Sequence, residues 1–579
     1  MEDRRSFASR RRAGMTRREL LVRAGMLAGG LSAAEILGGS TLARAGVDSN
    51  PTGGIMRMGG PAINIRNFNP FAATPMTSTT VGMFEPLLIY NYAIKKIVPW
   101  LATSYAWSND NSKLTLTARD GVKWSDGQPF TAKDIAFTFN LMKQNPGLLG
   151  SASTSWSYLS SVTAQGNKAV FSFKDVYSPG LFDIMHQLIV PEHQWSSAGD
   201  PVKFTNPHPV ATGPLTKIES FNAEDMLLLR NPNYWIQGRP YIKGQRFTAE
   251  AGNEQRLQAL ITNQLDWGGG YIPNIDSVYV DKDKKHHGFW WPLNGMVDLV
   301  VNHTRPPFDQ LPFRQALSLA MDREQMLTIA LQGHSKVADM SNLPVFSQSN
   351  WIDKKVTSQY DWLMKRNVNR ANQMLDKAGF TKGSDGIRTM PGGKRLAFQL
   401  TVPTGWTDFI SDCDVIANNL KDVGIQATIF TPSVDTWYNN VYSGNYDMAL
   451  GDPGGFGATP FENYRGYLSS QTYVPIGQQA NENWQRYKNA DADSLLSKWA
   501  QTSDVSEQHS LCSQLTKIFA ENIPIIPLYY EPEWGAYNTL YFTGFPHPPN
   551  PYAPLSDVAP FPVEYIVLSH LKPVANPSS

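Results

Sequence analysis

The chain has 579 residues, enough for several packed lobes. It is 41% hydrophobic, 11% aromatic and 17% charged, which excludes a disordered chain, since such chains are poor in aromatics and rich in charge. The first 45 residues hold nine arginines against four acids, leaving 42 of the 51 basic and 46 of the 50 acidic residues to the rest; so mildly acidic a body is a poor partner for phosphate backbones and argues against nucleic-acid binding.

Taken in chain order, the first signal is Thr16-Arg17-Arg18-Glu19-Leu20-Leu21, a twin-arginine pattern. A weakly apolar stretch over 20–34 follows, broken by Arg23, Gly25, Gly29 and Gly30 and too short to span a bilayer; Ala43-Arg44-Ala45 then offers a small-x-small cleavage site. Residues 1–45 resemble a twin-arginine export signal. No cysteine lies near the cleavage point, so no lipid anchor is expected there, and no later apolar run reaches the roughly 18 residues of a membrane span. The mature protein is expected in the periplasm or on the outer side of the cytoplasmic membrane. Cys413 and Cys512 are the two cysteines: too few for a disulfide scaffold or a cysteine metal cluster, enough for one bridge.

Alternation predicts a strand over 113–117, followed by Asp120-Gly121 and Asp126-Gly127 turns. Thr131 caps a helix to about 142, with Ile135, Phe139 and Met142 on one face. Residues 299–302 read as a short strand, and Pro312 opens a helix through Phe313, Ala316, Leu317 and Ala320. Strand 396–402, helix 408–423 with apolar Ile410, Ala417, Leu420 and Val423, and strand 425–430 form a βαβ unit, so these strands are expected to be parallel. A further strand is expected over 446–450. Ligands of open parallel sheets sit at strand carboxyl ends, which selects Thr404-Gly405-Trp406 and the segment Gly451 to Gly457.

The chain carries no His-Glu-x-x-His, no Gly-x-Ser-x-Gly and no phosphate loop. Asp281-Lys282-Asp283 lacks the glycine and glutamate of a calcium loop and reads as a solvated turn. No carboxylate pair is singled out by spacing. An enzyme reading has no positive support, and no metal or cofactor is expected.

The stretch Leu114-Thr-Leu-Thr-Ala-Arg-Asp-Gly-Val-Lys-Trp-Ser-Asp-Gly-Gln-Pro-Phe-Thr-Ala-Lys-Asp-Ile-Ala-Phe-Thr-Phe-Asn140 resembles the signature block of family 5 solute-binding proteins, the extracytoplasmic receptors of ABC importers for oligopeptides, dipeptides, nickel chelates and some oligosaccharides. Further matches keep the family's order: Pro99-Trp-Leu-Ala-Thr-Ser-Tyr105, Ala211-Thr-Gly-Pro214, Arg230-Asn-Pro-Asn-Tyr-Trp235, Asn302, Pro306-Pro-Phe-Asp309, Arg314-Gln-Ala-Leu-Ser-Leu-Ala-Met-Asp-Arg323, Gly424-Ile425 and Tyr446-Asp-Met448. The resemblance implies a two-lobed α/β periplasmic-binding-protein fold of the large type II form with an inserted subdomain: lobe I over 46–80, 205–300 and 525–579, the insert over 81–204, lobe II over 301–524. It also implies a monomer that closes on its solute and docks on the transmembrane subunits of an ABC permease. The block itself is expected to serve folding, with Trp124 in the core.

Peptide-binding members hold the peptide amine with an aspartate in a Gly-Trp-x-x-Asp-x-x-Asp-Pro stretch; here the stretch is Gly451-Asp-Pro-Gly-Gly-Phe-Gly-Ala-Thr-Pro460, with no tryptophan and the aspartate position near Gly455. Asp452 is the displaced candidate. Gly405-Trp406-Thr407-Asp408 and Thr459-Pro460-Phe461-Glu462-Asn463-Tyr464 resemble instead the branch that takes cello- and related β-linked sugars. Flat aromatics cover sugar ring faces and polar side chains satisfy the hydroxyl rim. The expected ligand residues are therefore Trp406, Trp267, Asp408, Asp452, Asn463, Tyr464, Trp437 and Trp290, with Trp291 beside the last. Three readings stay open: an oligosaccharide receptor, an oligopeptide receptor, and a secreted hydrolase that reuses the fold.

Overall fold

The computed structural model describes residues 54–60, 66–72, 82–222, 224–250, 252–455, 457–557 and 562–575; residues 1–45, expected to be an export signal, lie outside them. Three sheets organise the chain. In the first, Ile55–Gly60 lies between parallel neighbours Gly244–Ala249 and Trp267–Gly268; Asp225–Arg230 and Leu215–Phe221 extend one side, and Ala536–Asn538 and His287–Phe289 the other. The second has the order Gln426–Phe430, Ala397–Thr401, Met448–Gly451, Leu293–Val301, Ile526–Pro532. The third is antiparallel: Ala102–Trp107, Lys113–Ala118, Lys168–Phe173, Leu159–Gln165. It carries the helix Ala132–Gln144, whose capping box joins Thr131 to Asp134 and which buries Ile135, Phe139 and Met142. Trp124 is fully buried, and Gly121 and Gly127 take the positive φ that their turns require.

The βαβ unit forms as its periodicity predicts. Ala397–Thr401 and Gln426–Phe430 are parallel, joined by the helix Thr407–Asp422, and Met448–Gly451 is parallel to the first of them. The helix buries Phe409, Cys413, Ile416 and Leu420, a stripe one residue away from the Ile410 and Ala417 face read from the sequence; those two are half-buried. Each large side chain so removed from water contributes about 1.5–3 kcal/mol.

Leu293–Val301 pairs along its length with Ile526–Pro532 in the second sheet, so the chain crosses between sheets near residues 289–293 and 532–536, on the first-lobe side of the joints expected at 300/301 and 524/525. The short strand expected at 299–302 is the end of this longer one, whose first six residues, with Asn294, Gly295 and Asp298, break the apolar run. One apolar core joins the first sheet to the insert, and a second fills the other lobe. Cys413 and Cys512 are separate, buried free thiols, so the bridge is not made.

Candidate functional site

Four strands of the second sheet share a direction. Met448–Gly451 is parallel to Ala397–Thr401, and both Met448–Gly451 and Ile526–Pro532 run antiparallel to the strand between them. Their carboxyl ends make one edge, and side chains from several strands meet there. Trp406 and Asp408 follow the first strand, Asp452 follows Met448–Gly451, Glu531 ends Ile526–Pro532, and Asp298 stands opposite Gly451.

An aromatic wall rises over Gly451. A Cβ there would come within 2.8 Å of the Trp484 ring and 3.6 Å of the Trp437 ring, so only glycine leaves them room. Trp437 is the hub: its ring lies 5.8 Å from Trp406, 5.9 Å from Trp484 and 4.8 Å from Tyr438. Its indole N–H donates to the Thr401 carbonyl at 3.4 Å, and the residue is buried. Trp406 is half-buried, at the start of the helix Thr407–Asp422.

The acids of this edge crowd one another. Burial pushes Asp408 up to about 6 against an opposing hydrogen bond from Asn253, and pushes Asp452 to about 6 against bonds from the Gly454 N–H and the Tyr467 hydroxyl. Burial first, then the charges of Asp452 and Glu531, hold Asp298 well above the ordinary carboxylate range. Glu531 is raised by burial and by Asp408, Asp452 and Glu533; burial takes Glu533 to about 7. Asp412, bonded by the Tyr529 hydroxyl at 2.6 Å, is also raised by burial. Arg323 faces Asp298, but its guanidinium donates to the carbonyls of Pro527, Ser318 and Met364 and to the Ser318 hydroxyl.

The first lobe closes on this edge. The Asn253 N–H donates to the Gly405 carbonyl at 3.2 Å and its side-chain amide to Asp408 Oδ1 at 3.1 Å. Tyr271 of the same lobe feels the charges of Asp408 and Asp412, and the Tyr92 hydroxyl of the insert donates to Glu533. From the insert, the Ser178 N–H donates to the Ala500 carbonyl at 2.7 Å and Tyr177 meets Phe461 edge-on at 6.0 Å.

Of the residues singled out by sequence, Trp406, Asp408, Asp452 and Trp437 are brought together here. Trp267 is not among them: fully buried, it donates to the Leu555 carbonyl at 2.6 Å and packs on Phe545, because its two-residue strand lies inside the first sheet. Tyr464 is also core, its hydroxyl engaged by the Ser341 carbonyl and Thr516. Asn463 is buried and accepts from Gln348 at 2.9 Å. Trp290 packs on Phe346, and Trp291 on Trp534 and His334. Sequence reasoning missed Asp298, Glu531, Glu533, Tyr438, Trp484 and Asn253. The carboxyl-end rule that found Trp406 would have reached Glu531 had 526–532 been recognised as a strand of this sheet. Among the described residues, no group of three or more His, Cys, Asp or Glu is arranged to hold a metal ion, and no helix is long and apolar enough to cross a membrane.

The family profile of bacterial extracellular solute-binding proteins, family 5 Middle, matches residues 96–474. A nickel-binding periplasmic protein of Escherichia coli (strain K12) is 26% identical over 399 residues, covering 67% of this chain and 73% of its own length. Among solved structures, a mannohexaose-bound periplasmic oligopeptide-binding protein of an oligopeptide ABC transporter from Thermotoga maritima superposes with a TM-score of 0.83 at 24% identity, over 92% of this chain and 100% of that one. An oligopeptide-binding protein from Bacillus subtilis in complex with a nonapeptide gives 0.75 at 20% identity, over 91% and 100%. The fold is thus the two-lobed one of periplasmic binding proteins, and the chain belongs to the family 5 extracellular solute-binding proteins, the substrate-binding components of ABC importers.

Proposed function

We propose that this chain captures a short oligosaccharide between its lobes and delivers it intact to the transmembrane subunits of an ABC permease, acting as an exported, unanchored monomer sent out by its twin-arginine segment. The observation that carries the reading is Trp406, half-buried at the carboxyl edge and backed by Trp437 and Trp484, with carboxylates around it. A flat ring beside hydrogen-bonding groups suits a sugar's apolar face and hydroxyl rim. Gly455, where peptide-binding relatives would carry the amine-holding aspartate, has no room for a side chain: a Cβ would stand 2.8 Å from the Glu462 carbonyl and 2.9 Å from the Glu482 carboxylate. Asp452 is already engaged by Gly454 and Tyr467. The same fold holds mannohexaose in the Thermotoga protein.

Thermal-shift measurements with cello- and manno-oligosaccharides against peptides of matched length test the reading. A ligand at a hundredfold excess over its Kd stabilises by about 2.7 kcal/mol. Shifts with sugars support it; shifts with peptides alone overturn it, and turnover of a bound sugar replaces it with the hydrolase. Trp406→Ala is expected to weaken sugar binding about tenfold, the loss of one stacked ring, with little change in the melting temperature of the empty protein.

A further inference from the structure

The inserted subdomain meets lobe II along a seam that carries charge. Tyr177 packs against both apolar cores and meets Phe461 edge-on at 6.0 Å. Beside it the Ser178 N–H donates to the Ala500 carbonyl at 2.7 Å. Tyr158 stacks on Tyr177, with ring centroids 4.2 Å apart and planes at 17°, and its hydroxyl donates to Asp183 Oδ2 at 2.8 Å. The insert side of the seam is thus one braced unit that ends in a carboxylate.

On the lobe II side stands Arg465, in the last turn of the helix Pro460–Leu468 that also carries Phe461. Its Nη2 and Nε donate to Glu482 at 2.9 and 3.3 Å. A guanidinium has five N–H donors, so Glu482 leaves the others for acceptors elsewhere. Across the seam, Asp183, Tyr177 and Tyr158 all feel the Arg465 charge. Burial raises Asp183, and Arg465 is the strongest influence holding it down. Burial also works against the Arg465 charge, and Glu482, then Asp183, outweigh it. The Arg465 and Glu482 side chains are 15% and 22% exposed, so water screens this group less than it screens a surface pair. One guanidinium therefore serves a carboxylate on each side of the seam. Parting the two sides leaves it with Glu482 and takes it from Asp183, a cost that falls on the open form.

We propose that Arg465 is a positioning residue for capture: held by Glu482 on lobe II, it receives Asp183 and Tyr177 of the inserted subdomain as the cleft shuts, so that the insert closes over the solute as part of the jaw. The contact uses the chain's own residues whatever the solute, so it stands or falls separately from the oligosaccharide reading. Cross-linking of the empty mature protein carrying S178C and A500C tests it. These positions are joined by the 2.7 Å backbone bond, and the native Cys413 and Cys512 are buried. Under a mild oxidant at neutral pH, the cross-linking rate follows the fraction of molecules in which insert and lobe II meet. D183N, which keeps an oxygen for Tyr158, and R465M are each expected to slow it about tenfold, as for a hydrogen bond to a charged group. Together they are expected to slow it no more than either alone, because each removes the same pair. R465K, which keeps the charge, is expected to slow it less than about threefold. Raising the salt from about 0.1 to about 1 M, which shortens the Debye length from about 10 to about 3 Å, is expected to slow the parent and leave D183N unchanged. Circular dichroism melts confirm that each variant folds. Rates in D183N and R465M equal to the parent's, effects of the two that add in full, or a parent whose cysteines never cross-link overturn the inference. None of these outcomes touches the sugar reading, which the thermal shifts test.

Discussion

Alanine at Gly252 is expected to weaken solute binding about thirtyfold and to leave the melting temperature of the empty protein unchanged. Gly252 has φ 169°, extended backbone that alanine adopts freely, so the substitution stores no local strain. Its Cβ would stand 2.9 Å from the Gly405 carbonyl oxygen and 3.0 Å from the Gly405 Cα. These are backbone atoms of the opposite lobe and cannot swing aside. The lobes would have to part, lengthening the 3.2 Å bond from Asn253 to Gly405 and the 3.1 Å bond from Asn253 to Asp408. Overpacking of this kind costs about 2 kcal/mol, and the open form escapes it. A cost borne by one of two states appears as a lower affinity for the ligand that prefers that state, here about thirtyfold. Titration calorimetry of the variant against the parent reads it directly. Equal affinities would show that Gly252 and Gly405 are apart in the liganded protein.

Asp408 takes on a second meaning in this light. The sequence marks it as a ligand residue because it follows a strand's carboxyl end beside Trp406. In the structure one of its oxygens is engaged by Asn253, across the cleft. Position at an edge is legible in sequence; what an edge residue touches depends on a segment some 150 positions away, and no local pattern reports that. The same limit explains Trp267. Its neighbours Asp266 and the glycine triplet look like a loop, yet the backbone pairs with Met58 and Tyr537 and draws the indole into the core. The βαβ unit and the capped helix after Thr131 were readable because their period and caps are local. Glu531 and the adjoining Glu533 were not, because the strand Ile526–Pro532 belongs to the second sheet only through pairing with Leu293–Val301, a contact made over more than 200 residues of chain.

Stability of the empty protein is expected to fall as pH rises from about 6.5 to about 8.5, the reverse of the trend set by salt-bridged carboxylates. Glu85 and Glu462 contribute alongside the cleft acids Glu533, Glu531, Asp298 and Asp412, which burial raises in the same direction. Glu85 is fully buried and pushed up to about 7 by that burial, against donors from Trp100, Trp235 and Tyr234 that partly offset it. Glu462 is buried beneath Gly457, where a Cβ would stand 2.0 Å from its carboxylate; burial takes it to about 8, with Asp183 adding and Arg465 opposing. Both groups ionise near 4.5 once unfolded. Between that value and the raised one, the folded protein keeps a proton that the unfolded chain has lost, so their contribution is full at the acid end and is lost as pH climbs through 7 and 8. At about 1.4 kcal/mol per unit, Glu85 alone accounts for roughly 3 kcal/mol. The acids held below their ordinary range, Asp110, Asp200, Glu219, Asp283, Asp353 and Asp385, act only at lower pH; His186 and His303, pushed down to about 3 by burial, take up protons only on unfolding and oppose the decline below about 6.5, so it shows above that pH. Urea midpoints measured across this range test it, with E462Q expected to flatten the upper half. A midpoint that holds steady or rises towards pH 8 would mean that Glu85 and Glu462 ionise in the folded protein as readily as in water, and that the packing around them admits solvent.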